Sequence, residues 1–189
     1  MKFQFILFAT LFCLFFVTAN AQNAAPTGFL KAIVTLNKGS VLQGYAKDNI
    51  KKSSSLIFVD STGSKKVYDG NDINLLTIDT IHFICIRGDF FKIICAGKID
   101  FLQKAGNAAA NPTYNGTEAI FTNGTEGKPG DYFVYSNKKL QLLNKKNMDS
   151  FINTDLAACT EAMQKAKASN GNMSKIGEAV ETFNNYAVK

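Results

Sequence analysis

The stretch IHFICIRGDFFKIICAGKIDF, residues 81–101, consists of three β-rich runs separated by two turn-forming sequences. Gly88-Asp89 is typical of a two-residue hairpin turn. Closing the chain there places Arg87 opposite Phe90 and His82 opposite Cys95. Because side chains alternate along a strand, one face collects the residues predicted as core: His82, Ile84, Ile86, Phe91, Ile93 and Cys95.

The second turn of this stretch lies at Ala96-Gly97-Lys98, which fits a three-residue hairpin loop. That loop sets Cys95 against Ile99 and Ile93 against Phe101, so the core face stays apolar. The stretch therefore predicts three consecutive antiparallel strands.

His82 is the only histidine of the chain, and the predicted pairing makes it a neighbour of Cys95. A thiolate–imidazole pair needs such a neighbour. A reactive cysteine also needs partial exposure and an electropositive setting, whereas Cys95 is predicted among isoleucines and phenylalanines. One histidine and one cysteine fall short of the three or four ligands of a zinc site. The pattern favours a buried structural pair.

Arg87-Gly88-Asp89 matches an adhesion tripeptide, and the predicted hairpin displays it at its tip. Gly and Asp are also what such a turn requires on conformational grounds. The tripeptide is therefore interpreted as turn chemistry.

Three cysteines follow the N-terminal segment, namely Cys85, Cys95 and Cys159. An odd count leaves at least one thiol unpaired. Cys85 is predicted on the face opposite Cys95, so a bond between them needs an odd-length loop with Phe90 at its tip. Cys159 falls in the apolar stripe of a predicted helix and is interpreted as a packed thiol. Which of the three pair is left open.

Outward from this stretch, residues 28–103 alternate short β-rich runs with Asn, Asp and Gly turns, which predicts an antiparallel meander. Residues 131–144 predict a further strand pair joined at Asn137-Lys138. After residue 150 the apolar period changes to three and four, which predicts two amphipathic helices. The fold class is α+β: an antiparallel, coiled or barrel-like β-meander followed by two C-terminal amphipathic helices.

Residues 1–21 combine Lys2, an apolar run from Phe3 to Val17 and an Ala19-Asn20-Ala21 end. This pattern predicts a secretory signal peptide cut before Gln22. The remaining 168 residues, with a net charge of +5 once Lys2 is removed, predict an antiparallel β domain over 22–148 and a helical pair over 149–189 that packs on the sheet. No later segment is apolar for long enough to span a membrane, and the predicted location is secreted or periplasmic.

Basic residues occur as scattered doublets such as Lys51-Lys52 and Lys138-Lys139, without an interleaved aromatic stripe. This distribution argues against nucleic-acid binding. Paired carboxylates, a nucleophile elbow, a phosphate-binding glycine loop and HExxH are absent from the sequence. No cofactor or metal is predicted, and no catalytic residue is assigned.

Residues 105–131 form a stretch rich in Gly, Asn, Ala and Thr that is longer than a connection requires. Tyr114, Phe121 and the adjoining Tyr132 have no evident core partner there. These three aromatics are the predicted contact residues for an envelope or extracellular partner.

The sequence resembles a group of exported Bacteroidota proteins of unknown function. The resemblance rests on the ANAQ end of the signal, Lys38-Gly39 with Gln43-Gly44, FFKIICAGKIDFLQ (90–103) and ETFNNY (181–186). It implies export and an antiparallel sheet followed by helices. The predicted function is a non-catalytic binding or envelope-associated module; the alternative is an enzyme whose unrecognised chemistry uses the Cys95 thiol with His82.

Overall fold

A computed structural model describes residues 25–108, 113–116, 118–120 and 124–187. It contains twelve strands and four helices among them. The strands are β1 (Leu30–Leu36), β2 (Val41–Asn49), β3 (Ser55–Asp60), β4 (Lys65–Asp69), β5 (Ile73–Ile78), β6 (Ile81–Ile86), β7 (Asp89–Cys95), β8 (Asp100–Lys104), β9 (Thr113–Asn115), β10 (Glu118–Ile120), β11 (Tyr132–Ser136) and β12 (Lys139–Leu142). The helices are α1 (Ile50–Ser53), α2 (Met148–Thr154), α3 (Thr160–Ala168) and α4 (Met173–Ala187).

Ten strands form one antiparallel sheet in the order β12-β11-β8-β7-β6-β5-β1-β2-β3-β4, and β9 pairs with β10 separately. The antiparallel sheet and the α+β mixture are confirmed. The sheet bends far enough that Gly70, after β4, forms an isolated bridge with Gly88. It does not close into a barrel, so the barrel-like form of the prediction is wrong.

The C-terminal region contains three helices where two were predicted. The first predicted helix is interrupted between α2 and α3, where Thr154 donates a hydrogen bond to Ser150 O (2.6 Å) and contacts the Asp155 carboxylate (2.9 Å). Such local side-chain bonds compete with helix continuation. Cys159 consequently lies just before α3, in an extended conformation, and is buried there.

Helix α4 packs on the sheet through its buried face. Ile176, Val180 and Phe183 join Phe101 and Val134 in one core cluster. At the end of the helix, Asn184 accepts a hydrogen bond from Ile99 N (3.0 Å) and donates one to Ile99 O (2.8 Å). The helix is thus tied to the connection between β7 and β8.

The hairpin of β6 and β7 differs from its predicted register by two residues. Ile86 pairs with Asp89, and the turn is formed by Arg87 and Gly88, both with positive φ (52° and 81°). Two left-handed residues suit the twist of a two-residue hairpin. A shift by two preserves the faces, so Ile84, Ile86 and Ile93 still surround buried Phe91.

The hairpin of β7 and β8 also departs from prediction. Its register shifts at an irregularity between Ile93 and Cys95, so that Ile93 pairs with Leu102 and Cys95 with Phe101. The extra residue turns Cys95 towards the helices. By contrast, the predicted hairpin at Asn137-Lys138 is confirmed.

Candidate functional site

Asp89 is buried inside the molecule. Its side chain has no exposure to solvent, because β7 begins at this residue and the chain beyond β8 covers it. Arg87-Gly88-Asp89 therefore does not present its carboxylate at a hairpin tip, and the adhesion interpretation has no structural basis.

Asp89 instead forms an ion pair with Lys104, whose Nζ lies 2.9 Å from Asp89 Oδ2 and is equally buried. The ammonium also donates to the carbonyls of Thr125 (2.9 Å), Glu126 (3.1 Å) and Gly127 (3.1 Å). The carboxylate accepts hydrogen bonds from Ala108 N (2.5 Å), Thr125 N (2.7 Å) and the Thr125 hydroxyl (2.5 Å). Both buried charges are fully surrounded by complementary groups, as stability requires.

The same pair fixes the two ends of the long connection between β8 and β11. Ala108 lies near its start and residues 125–127 near its end, and both bind to Asp89 or Lys104. The predicted loop 105–131 is thus anchored at both described ends.

His82 and Cys95 do not form the predicted pair. His82 is exposed, and its Nδ1 lies 3.0 Å from the Thr77 hydroxyl across β5 and β6. It alternates with buried Phe83, whereas Cys95 packs against the helical core cluster. The two side chains therefore lie on opposite faces of the sheet, and His82 is not part of the core.

All three described cysteines are free thiols. Burial raises the pKa of Cys95 to about 11, with smaller contributions from Glu181 and Asp100. Burial likewise raises the pKa of Cys85 far above its ordinary value. Neither thiol has the electropositive surroundings that activate a nucleophile.

Of the three predicted contact residues, Tyr132 lines a cleft. Phe121 and the side chain of Tyr114 lie outside the described part of the structure. Tyr132 is half-buried and stacks on Phe101, with ring centroids 5.4 Å apart and an interplanar angle of 17°.

This cleft, of about 360 Å³, lies between α4 and strands β7, β8 and β11. Its sheet wall is a row of directly paired residues, Lys92, Gln103 and Tyr132. Its helix wall carries Ser174, Glu178 and Glu181.

Gly177 brings the helix close to the sheet beside the cleft. A Cβ at this position would lie 3.2 Å from the Phe101 ring, and its carbonyl is 3.8 Å from Cys95 Sγ. Apolar groups of Ile94, Phe101 and Met173 complete the lining. The cleft therefore has an apolar floor between two polar walls.

Side chains of both charges line this cleft. Within the described residues, the side chains of Lys92, Glu178 and Glu181 form no hydrogen bond or ion pair. Gln103 donates a 3.3 Å hydrogen bond to Gly130 O, which leaves its amide oxygen available. The walls can therefore supply an ammonium, an amide and two carboxylates to a ligand.

No group of three or more His, Cys, Asp or Glu side chains within the described segments could hold a metal ion. In the same segments, no helix is both long and apolar enough to cross a membrane.

No protein-family model matches the chain, and neither a curated protein nor a solved structure does. The resemblance to exported Bacteroidota proteins accordingly stays a prediction.

Sequence reasoning missed the Asp89–Lys104 pair and most of the cleft. A signal for the pair was present, because Lys104 follows Leu102 on a core-facing strand position and Asp89 precedes Phe91 on the facing strand. With the observed register both charges fall on one face. No local sequence pattern predicts the cleft, because its sheet wall and its helix wall come from residues that are far apart along the chain and meet only when α4 packs on the sheet.

Proposed function

We propose that this protein is an exported, non-catalytic binding protein whose ligand site is the cleft between α4 and strands β7, β8 and β11. The observation that carries the proposal is the cleft itself, where the Phe101–Tyr132 stack lies between walls whose charged side chains form no ion pair within the described residues. Concave sites with an apolar lining and a few convergent polar groups are typical of ligand binding.

A binding role is favoured over the thiol-enzyme alternative by the surroundings of Cys95. Its raised pKa keeps the thiol protonated near neutral pH, and its candidate base His82 faces the other side of the sheet. A thiolate is the form that attacks a substrate.

Export is supported by the signal-like residues 1–21 and places the ligand in the periplasm or outside the cell. The mature protein is expected to begin at Gln22. Intact-mass measurement of the protein recovered from the cell envelope and medium tests this; a cytoplasmic protein retaining Lys2 would contradict it.

The long connection is proposed as a second contact region, for an envelope or extracellular partner, through Tyr114 and Phe121. Replacing both aromatics by Ala tests this and leaves every described lining residue of the cleft unchanged. Loss of partner recovery supports a role for the connection, and unchanged recovery contradicts it.

The cleft is tested by blocking it. Ser174 is exposed on the helix wall, so Ser174→Trp places an indole in the cleft. Ser150→Trp places one at an exposed position of α2 that does not line the cleft. The three proteins are incubated with small-molecule extract of the envelope, washed, and analysed for bound compounds by mass spectrometry. Compounds retained by the wild type and Ser150→Trp but lost by Ser174→Trp support the proposal. Equal retention by all three overturns it.

A further inference from the structure

The charges of the cleft are divided between its walls. Lys92 projects from β7 on the sheet wall, and Glu178 and Glu181 lie one helical turn apart on α4. Their charged atoms are farther apart than the 4 Å of an ion pair, since neither carboxylate pairs with Lys92. Glu178 also lies within electrostatic range of Lys165 on α3, and Glu181 lies within range of Cys95.

Such a division suits a ligand that carries both an anionic and a cationic group. A cation would be attracted by both carboxylates but repelled by the ammonium of Lys92. An anion would be attracted by Lys92 but repelled by both carboxylates. A zwitterion satisfies both walls with charge-assisted hydrogen bonds.

The floor between the walls specifies the body of the ligand. Tyr132, Met173 and Ile94 offer aromatic, thioether and aliphatic surface, and the fully buried Phe101 ring supports Tyr132 from below. Aromatic and Met side chains bind apolar and aromatic groups favourably. A volume of about 360 Å³ lies at the small end of the range of about 300–1,000 Å³ for ligand sites.

Resting on the proposed binding function, we infer that the cleft binds a small zwitterion with an apolar body, of the class of an α-amino acid or a dipeptide. Its carboxylate pairs with Lys92, its ammonium pairs with Glu178 and Glu181, and its apolar side chain lies against Tyr132 and Met173.

Four ligands of one shape but different charge test this inference. They are L-phenylalanine, its amide (a cation), its N-acetyl derivative (an anion) and its N-acetyl amide (neutral). Binding is followed by NMR through the methyl groups of Met173 and Ile94, which line the cleft. The zwitterion should bind at least about tenfold more tightly than the neutral compound, equivalent to about 1.4 kcal/mol. The dipeptide L-alanyl-L-phenylalanine is titrated alongside. The tighter of the two zwitterions shows whether the ligand is a free amino acid or a dipeptide.

Two variants assign the charges. Lys92→Met should abolish the preference for the zwitterion over the amide. The double variant Glu178→Gln/Glu181→Gln should abolish the preference of the cleft for the zwitterion over the N-acetyl derivative. Lys47→Met removes an exposed lysine outside the cleft and should change neither preference.

Equal binding of the amide and the zwitterion by the wild type would overturn the inference, as would unmoved methyl signals with both zwitterions. The proposed binding function is tested separately by the envelope extract. That experiment compares the compounds retained by the wild type and by Ser174→Trp, and it assumes nothing about the charge of the ligand.

Discussion

Asp89 and Lys104 illustrate what a buried charge demands of its neighbours. Each ion loses its hydration on burial, and mutual attraction compensates only if hydrogen bonds satisfy the remaining donors and acceptors. Here Lys104 has three backbone carbonyls besides the carboxylate, and Asp89 has Ala108 and Thr125 as donors. The chain around them is thereby held in one arrangement.

Lys104→Met is expected to lower the free energy of unfolding by about 3–5 kcal/mol, since it leaves the Asp89 carboxylate buried without its cationic partner. Urea unfolding at neutral pH measures the loss. Lys165→Met is the matched control, because it breaks the Glu161–Lys165 pair (2.8 Å) on the exposed surface, where ion pairs contribute little. A loss for Lys104→Met no larger than that of the control would contradict the role of the buried pair.

Cys95 is expected to show a displaced pH profile for thiol labelling. With its pKa raised to about 11 by burial, the labelling rate of the folded protein should keep rising through pH 9 and 10. In urea it should level off near the ordinary pKa of about 8.5. Between those two pKa values the folded state holds a proton that the unfolded chain releases, so this group makes the free energy of unfolding fall as pH rises. Peptide mass spectrometry follows the label at Cys95; a plateau near pH 9 in the folded protein would refute the shift.

At the scale of elements, α4 is positioned by a polar contact as well as by its apolar face. Asn184 is buried, and its side chain hydrogen-bonds both the N–H and the carbonyl of Ile99. Ile99 lies in a connection outside any strand, so these backbone groups have no partner in the sheet ladder. Gly97 leaves room for this side chain, since a Cβ there would lie 2.4 Å from Asn184 Cγ. The helix end and the β7–β8 connection thus depend on each other.

Asn184→Ala is expected to lower the free energy of unfolding by about 1–3 kcal/mol for each backbone group of Ile99 that stays buried without a partner. Asn185→Ala alters the adjacent exposed asparagine and should leave stability nearly unchanged. Chemical denaturation of the two variants provides the comparison. Equal stability would show that water replaces the Asn184 contacts.

The elements also show which features a sequence determines locally. The β11–β12 hairpin follows from Asn137-Lys138, where both residues take positive φ. The β6–β7 turn was misplaced because Asp89, a common turn residue, is required in the core by Lys104, fifteen residues away. The displaced Cys95 and the cleft depend on how α4 packs across three strands, which local patterns do not contain.

For the whole molecule, the two faces of the sheet around β7 and β8 carry different features: the cleft lies on one face and the anchors of the long connection lie on the other. Lys92 and Gln103 point towards α4 and the cleft, and their neighbours on the other face include Asp89 and Lys104. The long connection is therefore anchored on the side of the sheet opposite the cleft. Its anchors are part of the folded core, so shortening all of 105–131 would remove them.

Replacing residues 109–123 by Gly-Asn-Gly is expected to leave both the fold and the cleft intact. Ala108 N and Thr125 N lie 2.5 and 2.7 Å from the two oxygens of one carboxylate, and a three-residue linker can extend about 10 Å. Replacing 105–131 by the same linker keeps the Asp89–Lys104 pair but removes the backbone groups and the Thr125 hydroxyl that complete its hydrogen bonds. This variant should therefore unfold at a clearly lower temperature. Thermal unfolding of both shortened proteins, with L-phenylalanine titration of the first, tests this. A collapse of stability in the 109–123 replacement would show that the excised residues, and not only the anchors, hold the sheet together.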